Sequence, residues 1–177
     1  DAGERTARTL CETASPAFSF TADAEYVYCA TADEVVRTGR RDGTLTRLPG
    51  GGAPLTAIVA DSVRRTVYAG SRSGELYRVS GDRLARLNPK GARPRRIRDL
   101  AADSHGIVWV TSAETGITRY NPATDDYKHF EQQPYTVSYN IDTLTKIAEG
   151  GGLLWIKMNN WGFGYYDRER DEVKPFY

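Results

Sequence analysis

Tyr28, Tyr68, Trp109 and Trp155 each sit in a short apolar run that follows an acidic turn, and they recur at intervals of 40, 41 and 46 residues. Self-similarity at this period marks small sheets that bury their faces against neighbouring copies of themselves, which is the arrangement of β-propeller blades. The chain is therefore expected to be all-β, with about four blades of four antiparallel strands. Such a frame carries binding, scaffolding and catalysis alike, so the period predicts a fold and leaves the function to particular residues.

Superimposing the units shows what repeats. Each opens with an apolar stretch, 18–21, 55–60, 97–102 and 144–148, expected to be an inner strand lining a central channel. An acid follows (Asp23, Asp61, Asp103, Glu149), then a turn, then the aromatic strand, as in Gly106-Ile107-Val108-Trp109-Val110. These second strands are apolar on both faces, as sheets covered on both sides require. Two more strands complete each unit, for instance 74–79 and 83–87, where Arg alternates with apolar residues as suits the wet rim. Gly, Asn and Asp punctuate at hairpin spacing, as in Asp42-Gly43, Ser73-Gly74 and Asn121-Pro122. No stretch of helical length holds a 3.6-residue apolar period, and β-branched and aromatic residues crowd the apolar runs.

The repeats divide the chain at 18–50, 51–92, 93–135 and 136–177 within one domain. Residues 1–17 read as the outer strand of a preceding blade or as an N-terminal extension. The spare strand expected at 5–10, together with an outer strand at 172–177, makes the chain look like a piece cut from a longer propeller. An unclosed stack exposes an apolar blade face, so self-association or union with remaining blades is expected. A net charge of +1 with 27% charged residues is ordinary for a globular domain. There is no apolar run of the length a membrane helix needs and no hydrophobic signal-peptide core at the start, so no membrane contact is expected. Cys11 and Cys29 are compatible either with a bridge between adjacent strands or with two buried thiols. They lack metal-ligand spacing, and neither a metal nor a cofactor is expected.

From Asp103 to Ser112, followed by Thr115 to Thr124, the sequence resembles the two-component regulator propeller repeat: Asp, turn, Gly, apolar, Trp, apolar, Gly or Ser, Thr, then Gly-Leu and an aromatic before Asp or Asn. The fourth unit is similar, with Gly152-Leu153-Leu154-Trp155-Ile156 followed by Trp161-Gly162-Phe163-Gly164-Tyr165-Tyr166-Asp167, and residues 135–144 resemble the family's approach to an inner strand. The first two units depart from the pattern, with Tyr in the Trp position. The resemblance implies the periplasmic sensor part of a hybrid histidine kinase, as found in gut Bacteroides that detect polysaccharide fragments. It implies carbohydrate sensing and signal transduction to a kinase elsewhere in the full-length protein, without catalysis in this chain.

Under that reading, ligand-binding residues are sought where the repeat does not repeat. Tyr135, Tyr139 and Trp161 stand in turn or loop contexts where aromatic rings suit sugar faces. Asn140, Asn159 and Asn160 offer both donors and acceptors to hydroxyls, and Arg119 projects from a strand beside Tyr120. Each has a structural alternative: blade packing for the rings, turn capping for the amides, a rim charge for the arginine.

Three other readings compete. A protein-protein or dimerisation scaffold would use the blades to hold a partner or a second copy. A propeller lyase or lactonase would need His105 or His129, which have no Ser, Cys or acidic partner in a catalytic motif. Acidic stretches at 124–126 and 167–171 lack the spacing of a calcium loop. The run Arg93-Pro94-Arg95-Arg96-Ile97-Arg98 has the charge to hold phosphates, but it has no interleaved aromatic and leads straight into an inner strand. Nucleic acid is therefore not expected, and the patch is read as a solvated inter-blade loop or a contact for an acidic ligand such as a uronic-acid sugar.

Overall fold

The computed structural model describes residues 9, 12–112, 116–130, 148–150, 153–158 and 162–176, and every regular element among them is a strand. Four sheets form, each an antiparallel meander in sequence order. The first contains β1 (Ser19–Ala22), β2 (Tyr26–Ala30), β3 (Glu34–Gly39) and β4 (Leu45–Pro49). The second contains β5 (Leu55–Asp61), β6 (Thr66–Ser71), β7 (Leu76–Ser80) and β8 (Arg83–Arg86). The third contains β9 (Ile97–Ala102), β10 (Val108–Ser112), β11 (Gly116–Asn121) and β12 (Asp126–Phe130). The fourth contains β13 (Ala148–Gly150), β14 (Leu153–Met158), β15 (Gly162–Asp167) and β16 (Glu172–Phe176). The all-β propeller read from the aromatic period is the observed fold. Cys11 and, apart from Thr9, the spare strand expected at 5–10 lie outside the described residues.

The blades stack because each sheet is apolar on both sides. Tyr28, Ala30, Val35 and Leu48 of blade 1 meet Leu55, Ile58, Val67, Ala69 and Tyr77 of blade 2. On the other side of the same sheet, Ala57, Tyr68 and Leu76 meet Ile97, Leu100, Val108, Val110, Tyr120 and Tyr127 of blade 3. Trp109 and Ile117 of blade 3 then meet Leu154, Ile156 and Tyr166 of blade 4. Alternation of side chains along the strand lets neighbouring residues, such as Val67 and Tyr68, serve two different interfaces. Three of the four recurring aromatics thus fill equivalent places, each facing the blade that follows.

Inner strands also meet through polar groups. The backbone N–H groups of Ile58 and Ala60 donate to the hydroxyls of Ser19 and Thr21 at 3.2 and 3.1 Å, and the Thr56 hydroxyl donates to the Ile97 carbonyl at 2.6 Å. Hydroxyl residues at these strand positions satisfy main-chain groups that a neighbouring β ladder would otherwise take.

Candidate functional site: the two rims of the blades

The meander gives the stack two rims of different chemistry. One carries the turns between first and second strands and between third and fourth strands. There, Asp23 accepts from the N–H groups of Glu25 and Tyr26, Asp61 from Val63 and Arg64, and Asp103 from His105 and Ile107. These are Asx turns, which explains the acid that follows or ends the inner strand in blades 1 to 3. The same carboxylates hold the aromatic: Tyr28 donates its hydroxyl to Asp23, and Trp109 its Nε1–H to Asp103, each at 2.9 Å. Burial works to raise the Asp103 carboxyl, but the Trp109 N–H, the Ile107 N–H and Arg168 together keep it below the ordinary carboxylate value.

A second set of acids on this rim links blades. Arg119 on β11 meets Asp171 through Nε and an Nη atom at 3.1 and 3.0 Å, and Lys128 on β12 reaches the same carboxylate at 2.7 Å. Tyr166 donates its hydroxyl to Asp171 from within blade 4, as Tyr120 does to Asp125 within blade 3. Partial burial works to raise Asp171, but these donors overcome it and hold the group at about 2. Arg37 of blade 1 bonds Asp82 of blade 2 in the same way, and Arg168 of blade 4 reaches back to Asp103 of blade 3 at 2.9 Å. Arg119, a candidate for ligand contact, is thus placed in an inter-blade ion pair on the rim.

The opposite rim carries the turns between second and third strands and the connections between blades. Here Arg72, Arg96 and Arg98 line a cleft of about 330 Å³ together with Thr56 and Ile97. Arg72 follows β6, and its N–H donates to the Pro54 carbonyl at 2.8 Å. Arg96 and Arg98 flank Ile97, whose side chain is buried against blade 2. Arg93, from the same basic run, turns to Glu75 at 3.8 Å.

Backbone geometry fixes this second rim. Gly74 has φ of +83°, and a Cβ there would meet the Pro94 carbonyl oxygen, so the β6–β7 turn is pressed against the 94–96 segment. The Ser112 hydroxyl donates to the Arg95 carbonyl. Arg96 itself has φ of +51°, in the left-handed region. The other described non-glycine residues with positive φ, Arg65, Asp125 and Asp171, all sit in hairpin turns, while Arg96 lies in the connection between blades 2 and 3.

Of the remaining candidates, Tyr135, Tyr139, Asn140, Asn159, Asn160 and Trp161 lie outside the described residues. The strands flanking them, β12, β13, β14 and β15, have their ends on the rim that carries the arginine cleft. His129 is held between the Thr118 hydroxyl, beside its Nδ1, and the Ala92 carbonyl, which accepts from Nε2, each at 2.6 Å. His105 is exposed in the β9–β10 turn, with Ser104 beside its Nδ1. Among the described residues, no group of three or more His, Cys, Asp or Glu is placed to hold a metal. No described helix is long and apolar enough to cross a membrane.

Sequence reasoning passed over two features of these rims. Arg37, Arg78 and Arg119 each pair across the strand from the blade's aromatic, at a constant spacing of 41 residues. Arg72 lies more than twenty residues before the basic run and comes to it only through the stacking of blades.

No family model and no curated sequence relative matches the chain. Solved structures do. The extracellular domain assigned to a one component system of B. thetaiotaomicron is similar with a TM-score of 0.65 at 12% identity, over 94% of this chain and 23% of that one. A second extracellular domain from B. thetaiotaomicron, assigned to a hybrid two component system, gives 0.65 at 16% identity, over 91% of this chain and 24% of that one. A catalytically inactive virginiamycin B lyase from Staphylococcus aureus, in complex with quinupristin, gives 0.68 at 14% identity, over 93% of this chain and 56% of that one. The chain spans about a quarter of the length of the two extracellular domains and just over half of the lyase. At these identities the likeness is one of architecture, and it places the chain among the β-propellers.

Proposed function

We propose that this chain is a ligand-sensing propeller module of an extracytoplasmic signalling receptor. It binds a small solute, with an oligosaccharide fragment as the leading class, and passes the bound state to a kinase in the remainder of a longer, periplasm-facing hybrid two-component protein. The observation that carries this reading is the coincidence of two independent likenesses. The repeat from Asp103 to Thr124 resembles the two-component regulator propeller, and the fold matches extracellular domains of B. thetaiotaomicron receptors over more than nine-tenths of the chain. The chain itself performs no reaction in this reading. Tyr135, Tyr139, Asn140, Asn159, Asn160 and Trp161 remain the proposed ligand contacts, and Arg119 joins them only where a ligand displaces it from Asp171.

A thermal-shift screen of the chain against neutral and acidic glycan fragments tests this. A concentration-dependent rise in melting temperature with one glycan class supports sensing, because a ligand that binds only the folded state stabilises it by mass action. No shift with any glycan, together with concentration-dependent association, favours the scaffold reading. That second reading has its own observation: Phe20 on the innermost strand of blade 1 and Phe18 just before it are 79% and 57% exposed. The lyase reading draws on the virginiamycin B lyase architecture, and opening of quinupristin by the chain is the result that would establish it.

A further inference from the structure

We propose that the slot where Tyr68 and Arg78 of blade 2 meet Asp125 of blade 3 is a binding site for paired hydroxyl groups of an uncharged saccharide. The proposal rests on the sensing reading and adds a place for the ligand, its charge class and the residues that recognise it.

The three junctions between blades share one design, and the middle one leaves it incomplete. From blade 1 to blade 2, Arg37 stands across the strand from Tyr28 and bonds Asp82, the residue before β8. From blade 3 to blade 4, Arg119 stands across from Trp109 and bonds Asp171, the residue before β16. At both junctions the polar atom of the aromatic is also taken, by Asp23 or Asp103. Arg78 and Asp125 hold the same places between blades 2 and 3, across from Tyr68 and before β12. Yet Arg78 is exposed and, among the described residues, no carboxylate pairs with it, while the Asp125 carboxylate holds only the Tyr120 hydroxyl. Tyr68 is 2% exposed, and no described group bonds its hydroxyl. Asp61 stands seven residues before Tyr68, where Asp23 stands five before Tyr28, and it is taken up by the N–H groups of Val63 and Arg64 and by the Arg64 guanidinium. A buried hydroxyl without a partner costs free energy that a ligand can recover.

The slot has fixed walls. On the side of the first strands, Arg64 of blade 2 crosses to the Gly106 carbonyl of blade 3. A Cβ at Gly106 would strike Arg64 and crowd Val63, so the two turns touch because glycine stands there. On the side of the fourth strands, the Tyr120 hydroxyl holds Asp125 at 3.0 Å, its ring stands edge-on to that of Tyr68 at 5.8 Å, and the Lys90 N–H fixes the Asp125 carbonyl at 2.9 Å. Burial raises the Tyr68 phenol, and Asp61 and Asp125 raise it further while Arg64 and Arg78 lower it, so the hydroxyl lies within reach of all four charges. Two arginines and two carboxylates cancel, and an ion of either sign meets repulsion as well as attraction there. A hydroxyl donates once and accepts twice, so a neighbouring pair can accept from Arg78 and Tyr68 and donate to Asp125. Val63, 50% exposed in the adjoining turn, offers an apolar surface to the C–H face of a sugar ring.

Isothermal titration with maltotriose, cellotriose and mannotriose, and with trigalacturonate as the acidic counterpart, tests the site on the wild-type chain, on Tyr68→Phe and on Arg78→Gln. At least one neutral trisaccharide is expected to bind, with an affinity that salt does not move. Each variant is expected to weaken that binding at least fivefold. The melting temperatures of both variants are expected to match wild type, because Tyr68→Phe removes a hydroxyl that bonds no described group and Arg78 is exposed. A neutral trisaccharide that binds both variants as it binds wild type would overturn the site and leave the sensing reading standing. Trigalacturonate binding more tightly than every neutral probe would do the same, as would a marked fall in the melting temperature of Tyr68→Phe, which would give the hydroxyl a structural partner. Silence of all three neutral probes also overturns the site, whereas the sensing reading falls only if the full glycan screen is silent.

Discussion

The indole of Trp109 is wholly buried, and its single N–H points at Asp103, a carboxylate whose side chain is itself out of contact with water. A buried acid is tolerable only when its acceptor sites are filled. Here they are filled by Trp109, the N–H groups of His105 and Ile107, and Arg168 of the next blade. One side chain therefore closes a turn, orients the wedge and ties two blades. Trp109→Phe keeps most of the ring but removes the donor and leaves a small void, so a loss of about 2 kcal/mol is expected in denaturant unfolding. Asp103→Ala strands four donors, one of them charged, and is expected to cost about 3–5 kcal/mol. If Trp109→Phe proves the costlier of the two, ring volume and not the shared carboxylate is what holds this interface. Tyr28 repeats the arrangement with Asp23, five residues apart where Trp109 and Asp103 are six apart, so the phenol and the indole are two solutions to one geometry.

Between elements, the turn joining β15 and β16 acts as a socket, because Asp171 accepts from Arg119, Lys128 and Tyr166. Its folded pKa of about 2 lies below the ordinary 3.8, so its stabilising contribution is complete above about pH 4 and is lost as pH falls towards 2. Because the group is about one-third exposed, solvent screening limits the effect to about 1 kcal/mol. Stability measured by urea unfolding should fall in that window, and Asp171→Asn, weaker at neutral pH, should show a flatter profile there; parallel profiles would mean that other carboxylates govern the acid limb. On the opposite rim, Gly74→Ala forces a side chain onto Pro94 at positive φ, and about 2 kcal/mol of destabilisation is expected by the same method. What was legible in the sequence was local: the acid that closes a turn and the aromatic a few residues later recur within one hairpin, so the period exposes them. Arg37 and Arg119 keep the same constant spacing, but their acids stand 45 and 52 residues further on, in the next blade. Nothing in the local pattern of Arg119 distinguishes a rim charge, a ligand contact and this clasp.

At the scale of the molecule, every blade offers a face to the blade before it and another to the blade after it. Trp155 occupies the position equivalent to Trp109, so it lies on the side of blade 4 away from Leu154, Ile156 and Tyr166. Tyr165 pairs across the strand from Trp155 where the earlier blades place an arginine, and the two rings stand 6.0 Å apart. At the other end Ser19 and Thr21 point into blade 2, so alternation sends Phe20 outward. The period locates the recurring aromatic of each blade, but whether its ring is buried depends on what packs on the face it points to, which no period shows. An aromatic ring 79% exposed on an inner strand is a surface suited to association. Sedimentation velocity of the chain is therefore expected to show association that grows with concentration, and Phe20→Glu is expected to weaken it at least tenfold. Since so exposed a ring contributes little to the fold, the melting temperature of the dilute variant should match wild type. Association that survives Phe20→Glu with unchanged affinity would move the contact away from blade 1, and the matching substitution Tyr165→Glu would then show whether the face carrying Trp155 holds it.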